Sequence, residues 1–160
     1  NTQFILAPHD ISSDSIDYLK RCFPEALCYS KILESTDLKE ASILILDFIG
    51  LLSTTYRYAT YAYVGGAFGA GLHNTIEATV YGIPVFFGRS PKNIKFKECQ
   101  DLIVEGAAFE FGNLSDFMSY LEALNSDYSN YQKAADAAFA YTRSRQGATE
   151  RIVTYLTKRS

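Results

Sequence analysis

The sequence predicts an α/β fold, a Rossmann-like parallel sheet flanked by helices, on three observations. Short apolar, β-rich runs alternate with helical patterns as far as about residue 113. The strongest run, "SILILDF" (42–48), is apolar on both faces, as a strand covered by helices on two sides must be. The stretch "YVGGAFGAGLHNTIEATVYGIP" (63–84) reads as strand, loop and helix in succession, the order that right-handed parallel crossovers require.

The elements follow in order. "QFILA" (3–7) is a strand, and "SSDSIDYLKRCF" opens a helix that Ser12 or Ser13 can cap. "ALCYS" (26–30) is a weak strand, and "LLSTTYRYA" a short helix after the strand at 42–48. "YAYVGG" returns as a strand, and "NTIEATVYG" is a helix stopped by Gly82 and Pro84. "PVFFG" and "AAFEFG" are strands with the helix "KFKECQDLIVEG" between them. From about residue 114 to 160 the pattern is a helical tail, with Ser115 as the expected cap of "LSDFMSYLEAL". No repeat, linker or low-complexity stretch interrupts it, so residues 1–160 read as a single domain.

Composition narrows the class. The chain has 160 residues, 48% hydrophobic and 21% charged, enough for one core. A net charge of −3 gives no bulk attraction for nucleic acid or an anionic membrane surface. Three cysteines (22, 28 and 99) without CxxC spacing argue against a disulfide framework or zinc site, and no metal is expected. No apolar run reaches the ~20 residues of a membrane span, which predicts a soluble segment. The start "NTQFILAP" lacks an initiator Met and enters a strand almost at once, as an excised piece of a longer protein does.

Ligands of open parallel sheets bind beyond the carboxyl ends of the strands. Three such ends are notable: "APHD" (7–10), "DFIGLL" (47–52) and the glycine-rich stretch. Glycines 65, 66, 69 and 71 remove side chains just before a helix whose first N–H groups suit a phosphate. The order G-x-x-G-x-G is neither of the common phosphate motifs. Asn74 and Glu77 fit a capping box, a structural role; Glu77 is equally placed to accept from ribose hydroxyls. His73 lies four residues before Glu77 and reaches the same side; His9 is the weaker candidate. Gly50 exposes backbone groups that can meet a base edge, with Phe48 and Ile49 as an apolar wall, or it simply permits a turn. The basic run "RSPKNIKFK" (89–97) contacts phosphate or acceptor, or is a solvated loop.

On these residues the sequence resembles the 3-deoxy-D-manno-octulosonic acid (Kdo) transferases. Their signature runs Val-Gly-Gly, a variable loop, Gly-Gly-His-Asn, two residues, then Glu. "LDFIGLLSTTYRYATYAYVGG" is similar to the segment preceding it, "FILAPH" to an earlier Pro-Arg-His strand end, and "FGRSPKNIKFKEC" to a Gly-Pro…Phe stretch. The likeness covers roughly residues 3 to 110. It implies the C-terminal, donor-binding half of a two-domain GT-B glycosyltransferase that moves Kdo from CMP-Kdo to the lipid A precursor. It also implies a parent protein at the cytoplasmic face of a bacterial inner membrane, with membrane contact only through that parent, and no cofactor. The nucleotide-binding residues it implies are Ala7, Pro8, Phe48, Ile49, Gly50, Leu51, Gly69, Gly71, His73, Asn74, Thr75, Ile76 and Glu77. Among them Ile49, Gly50 and Leu51 line the cytosine, and Glu77 holds the ribose. No catalytic residue is expected here, because the family's base is a glutamate of the N-terminal domain.

Departures from the pattern are specific. Ala7-Pro8 stand where the family has Pro-Arg, so phosphate neutralisation must come from elsewhere. Gly69-Ala70-Gly71-Leu72 lacks the paired glycines before His. The family also has an earlier strand, and without it the sheet is expected to rearrange its strand order or pair with another chain. Two rival readings stand beside this one: another GT-B enzyme using a UDP-sugar, and a non-catalytic α/β interaction domain.

Overall fold

The structure is a computed structural model, and it describes residues 2–34, 41–66 and 74–157. Its packing forms two compact units, Asn1–Thr55 and Tyr56–Ser160.

The first unit contains β1 (Phe4–Leu6), α1 (Ser13–Cys22), β2 (Leu27–Cys28), a 3₁₀ turn over Tyr29–Glu34, β3 (Ile43–Ile45) and α2 (Leu52–Thr55). Its strands are parallel in the order β1-β3-β2, with Phe4 opposite Ile43 and Leu27 opposite Leu44. The run that was apolar on both faces takes the centre, where a strand has neighbours on both edges. Ile43 and Ile45 are buried with Ala26 and Cys28, and Leu6, Ile16 and Leu19 pack against them. Ile16 and Leu19, three residues apart, give α1 its inner stripe. Ser12 is the N-cap of α1, but its side chain bonds no helix amide. Asp10 organises this start instead: its carboxylate accepts from Ser12 N (2.9 Å), Ser12 Oγ (2.7 Å) and Ser15 Oγ (2.7 Å).

The second unit holds a 3₁₀ turn (Tyr56–Tyr58), β4 (Ala62–Val64), α3 (Ile76–Thr79) and β5 (Val85–Gly88). A second 3₁₀ turn (Pro91–Lys95), α4 (Lys97–Val104) and β6 (Ala108–Phe111) follow. The tail is helical as expected: α5 (Leu114–Ser126), α6 (Tyr128–Ser144) and α7 (Ala148–Thr157). The parallel order is β4-β5-β6. β5 is buried along its whole length and alternates between two cores. Val85 and Phe87 join Ala78, Cys99, Leu102, Ala138 and Tyr141. Phe86 joins Leu124 and Ala134 on the other side, stacked on Phe109 (centroids 5.2 Å apart) with Phe117 edge-on. Burying such a side chain contributes about 2–3 kcal/mol.

The expected parallel strands are thus present, hydrogen-bonded as two three-stranded sheets. Two details differ from expectation. The cap of α5 is Asn113, which accepts from Asp116 N at 2.9 Å, two residues before Ser115. The helix expected over 74–82 is a single α turn, Ile76–Thr79, closed by turn bonds from Tyr81 N to Ala78 O and Gly82 N to Thr79 O. Thr75, Ile76, Thr79 and Val80 are β-branched and weaken the helix, and Gly82 at φ +70° ends it. Gly82 has a second reason to be glycine: a Cβ there would lie 3.3 Å from the Ala135 carbonyl oxygen of α6.

Candidate functional site

Each unit presents its own strand ends. In the first, β1 ends at Leu6 and leads into Ala7 and Pro8. Pro8 borders a groove of about 370 Å³ lined with Asp10, Asp14, Ser15, Tyr18 and Leu19. Hydrogen bonds from Ser15 and then Ser12 hold the Asp10 carboxyl down to about 2, so it is charged throughout the physiological range. Two carboxylates beside Pro8 repel an anion. The groove is therefore a poor phosphate site, which agrees with the missing arginine at this strand end.

β3 ends at the second predicted position. Phe48 and Ile49 are exposed, 63% and 77%, unusually so for large apolar side chains. Gly50 sits at φ +92° with open space around it. The left-handed turn needs glycine, and the backbone there is uncovered. Leu51 is different: its carbonyl accepts from Thr55 N, Thr54 Oγ1 and Thr55 Oγ1 and starts α2. Its backbone oxygen is engaged by protein, whereas Gly50 remains open.

Sequence reasoning missed what fixes this loop. Asp47, two residues past the end of β3, accepts from Ser30 N (2.9 Å) and Ser30 Oγ. Partial burial pushes the Asp47 carboxyl upward, but the Ser30 bonds outweigh it and hold it below its ordinary value. A charged residue straight after a fully apolar run was the available signal; its partner 17 residues earlier was not legible.

In the second unit Gly69, Gly71 and His73 lie outside the described residues. Asn74 and Glu77 are described, and they meet. Asn74 Oδ1 accepts from Ile76 N at 2.9 Å, and Asn74 Nδ2 donates to Glu77 Oε1 at 3.1 Å. The capping box expected of this pair is not formed, since the N-cap of α3 is Thr75 with no side-chain cap bond; Asn74 instead closes a local turn that occupies the Ile76 amide and one Glu77 oxygen. Thr75 is buried, its hydroxyl 3.8 Å from Cys99 Sγ, and Ile76 packs on the core. The Thr75 side chain is thus committed to the core, and both backbone groups of Ile76 are engaged, its amide by Asn74 and its carbonyl by Thr79 Oγ1 and Val80 N. Burial, then the nearby Glu77 charge, raises the Tyr56 hydroxyl above its usual value. A single helical turn carries little macrodipole, so the expected phosphate attraction of a long helix is reduced here.

The ends of β5 and β6 carry a further cluster. Asn93, 1% exposed, donates from Nδ2 to Gly88 O and to Glu110 Oε1, both at 2.9 Å. Glu110 Oε2 pairs with Arg89 Nε at 3.4 Å. Neither Asn93 nor Glu110 stood out in the sequence, because a buried amide inside a basic loop has no periodic signature. Elsewhere in this unit, Ile76, Glu98, Tyr141, Thr142, Arg145 and Gln146 line a depression of about 420 Å³. Its Arg145 lies over the Tyr141 ring, 3.6 Å from the centroid, and pairs with Asp101 at 3.2 Å. Among the described residues no helix is long and apolar enough to cross a membrane, and no cluster of His, Cys, Asp or Glu suits a metal.

Known proteins resemble this chain in sequence and in fold. No protein-family profile matches it. It is 35% identical over 87 residues, 53% of the chain, to a 3-deoxy-D-manno-octulosonic acid transferase of Aquifex aeolicus. It is 33% identical over 113 residues, 69% of the chain, to the enzyme of the same name from Bordetella pertussis. These matches span 24% and 26% of the relatives' own length, about a quarter. A bifunctional glycosyltransferase/methyltransferase of Fusobacterium nucleatum is 24% identical over 118 residues, 73% of this chain and 17% of that protein. Among solved structures, the C-terminal CMP-Kdo binding domain of WaaA from Acinetobacter baumannii superposes with a TM-score of 0.70. That match covers 88% of this chain and 89% of the domain at 15% identity. The spinosyn forosaminyltransferase SpnP gives 0.56 at 11% identity, covering 99% of this chain and 43% of that one. Both structural likenesses bear on the fold, which is the Rossmann-like α/β fold expected.

Proposed function

We propose, from the premise that this chain is a relative of the Kdo transferases, that it is the donor-binding part of such an enzyme. The full protein then transfers Kdo from CMP-Kdo to a lipid A precursor in lipopolysaccharide biosynthesis, at the cytoplasmic face of the inner membrane. The observation that carries this reading is the 33% identity over 69% of the chain to the Bordetella pertussis enzyme. The fold likeness to a domain described as CMP-Kdo binding supports it.

In this reading the exposed Phe48 and Ile49 wall the cytosine, and the uncovered Gly50 backbone meets the base edge. Glu77 keeps Oε2 for a ribose hydroxyl while Asn74 holds Oε1. Gly69, Gly71 and His73 belong to the same reading. The domain's contribution to rate is positional: it holds the donor and stabilises the departing CMP. The carboxylate that deprotonates the acceptor is assigned to another part of the enzyme, and neither metal nor cofactor takes part.

One rival draws on a specific contact. The Asn74–Glu77 bond is sufficient on its own for a purely structural turn, as a non-catalytic domain would have. Calorimetry separates the readings. CMP binds in the millimolar range and UDP does not, and Glu77→Ala weakens CMP about tenfold, the worth of a charged hydrogen bond. Equal binding of UDP moves the donor to the UDP-sugars. Absence of nucleotide heat, with Glu77→Ala lowering only thermal stability, leaves the turn as the whole role.

A further inference from the structure

We propose that Arg89 is an anion-receiving residue at the carboxyl ends of β5 and β6. The ligand class is an oxyanion, the phosphate of a nucleotide or the carboxylate of a sugar acid. The choice between those two rests on the donor reading above; the anion site itself does not.

Arg89 follows directly on β5, the central strand of its sheet, where ligands of parallel sheets collect. Its backbone is fixed, since Arg89 N donates to Phe111 O at 2.7 Å and continues the ladder one residue past the strand. Its side chain is 60% exposed and anchored at one point, Nε to Glu110 Oε2. Glu110 is in turn anchored by the buried Asn93, which also holds the Gly88 carbonyl. The guanidinium is thereby tied through its Nε and Glu110 to a buried amide two contacts away, and it carries a planar Nη1/Nη2 fork beyond that Nε. Such a fork matches two oxygens of a phosphate or carboxylate side by side.

The surroundings are consistent with this use. Arg89 Nη1 lies beside Gly112, where a Cβ would make ordinary contact with it and with Asp116 Oδ2 at 3.6 Å. Asp116 Oδ2 already accepts from Gly112 N at 3.2 Å. Lys92, Lys95 and Lys97 follow within eight residues and add positive potential. A merely structural ion pair would need neither the exposed fork nor a buried amide supporting its carboxylate. Exposed pairs contribute little to stability, so removing Arg89 leaves the fold intact.

The test titrates the 160-residue chain with CMP, cytidine, free Kdo and inorganic phosphate at low salt, read by amide and arginine side-chain NMR. Arg89→Gln is expected to weaken at least one anion roughly tenfold, with Arg89→Lys intermediate and the unfolding midpoint unchanged. Loss for CMP with cytidine unaffected identifies the phosphate; loss for Kdo with CMP unaffected identifies the carboxylate. Binding of CMP and Kdo by Arg89→Gln as by wild type overturns the proposal. If wild type takes neither but phosphate shifts the Arg89 signals, the anion site stands and the donor reading falls. If no anion, phosphate included, perturbs Arg89, the proposal fails.

Discussion

The two three-stranded sheets share parallel pairing and differ in how much chain covers them. In the first, four residues form the buried cluster, and Phe4 and Ile5 of β1 remain 55% and 40% exposed. In the second, every residue of β5 is buried, and aromatic rings pack against Phe86 in edge and stacked contacts. The hydrogen-bond ladders are of one kind, so a difference in robustness is expected from the coverage of the faces. The strand ends differ as well: the first sheet offers apolar Phe48 and Ile49, and the second offers bare glycine backbone at 65 and 66 and the cation of Arg89.

The largest test of this contrast compares truncations in the two sheets. Phe86→Ala is expected to cost about 3–5 kcal/mol, the range for emptying an aromatic core site. Ile5→Ala, on a half-exposed strand, is expected to cost less than about 1 kcal/mol. Urea denaturation measures both, and equal costs would erase the distinction. Next in size is Asn93→Ala. It strips the Gly88 carbonyl and Glu110 of a buried donor, with a cost of about 2–3 kcal/mol by the same measurement. A cost within 0.5 kcal/mol, on the order expected of a surface change, would mean that water replaces the amide freely.

The smallest effect is electrostatic and belongs to the first unit. The Asp10 carboxyl is lowered from 3.8 to about 2. Its support of the α1 start is therefore fully present above about 4 and is lost as pH falls toward about 2. Carboxyl NMR should place its titration there, and Ser15→Ala should return it toward the ordinary value. A titration near 4 in the unaltered chain would remove Asp10 as the organiser of that helix.

What the sequence revealed followed from local patterns. Alternating apolar runs located the six strands seen among the described residues, because burial on two faces writes itself directly into "SILILDF" and "PVFFG". The spacing of Asn74 and Glu77 brings their side chains together, though as a side-chain pair ahead of the Thr75 cap and not as the capping box expected. The cap position of α1 at Ser12 was read correctly, but the carboxylate of Asp10 that organises it was not, and the cap of α5 was placed on Ser115 instead of Asn113. The length of α3 was overestimated because apolar spacing alone does not register four β-branched residues in six. Pairings over long separations, Ser30 with Asp47 and Asn93 with Glu110, depend on which strands lie side by side. No local pattern encodes that.

The brevity of α3 gives the tail an unexpected office. One turn of helix cannot hold itself in place, and this one is moored to α6. Thr142 Oγ1 donates to the fully buried Thr79 Oγ1 at 3.1 Å, and Gly82 lies close against the Ala135 carbonyl. The bearing of Glu77 is therefore steered from sixty residues downstream, as a rudder is turned from the far end of its shaft. A bulky replacement at Ala135 or Thr142 would reset that heading through Gly82 or Thr79, without altering Glu77 itself.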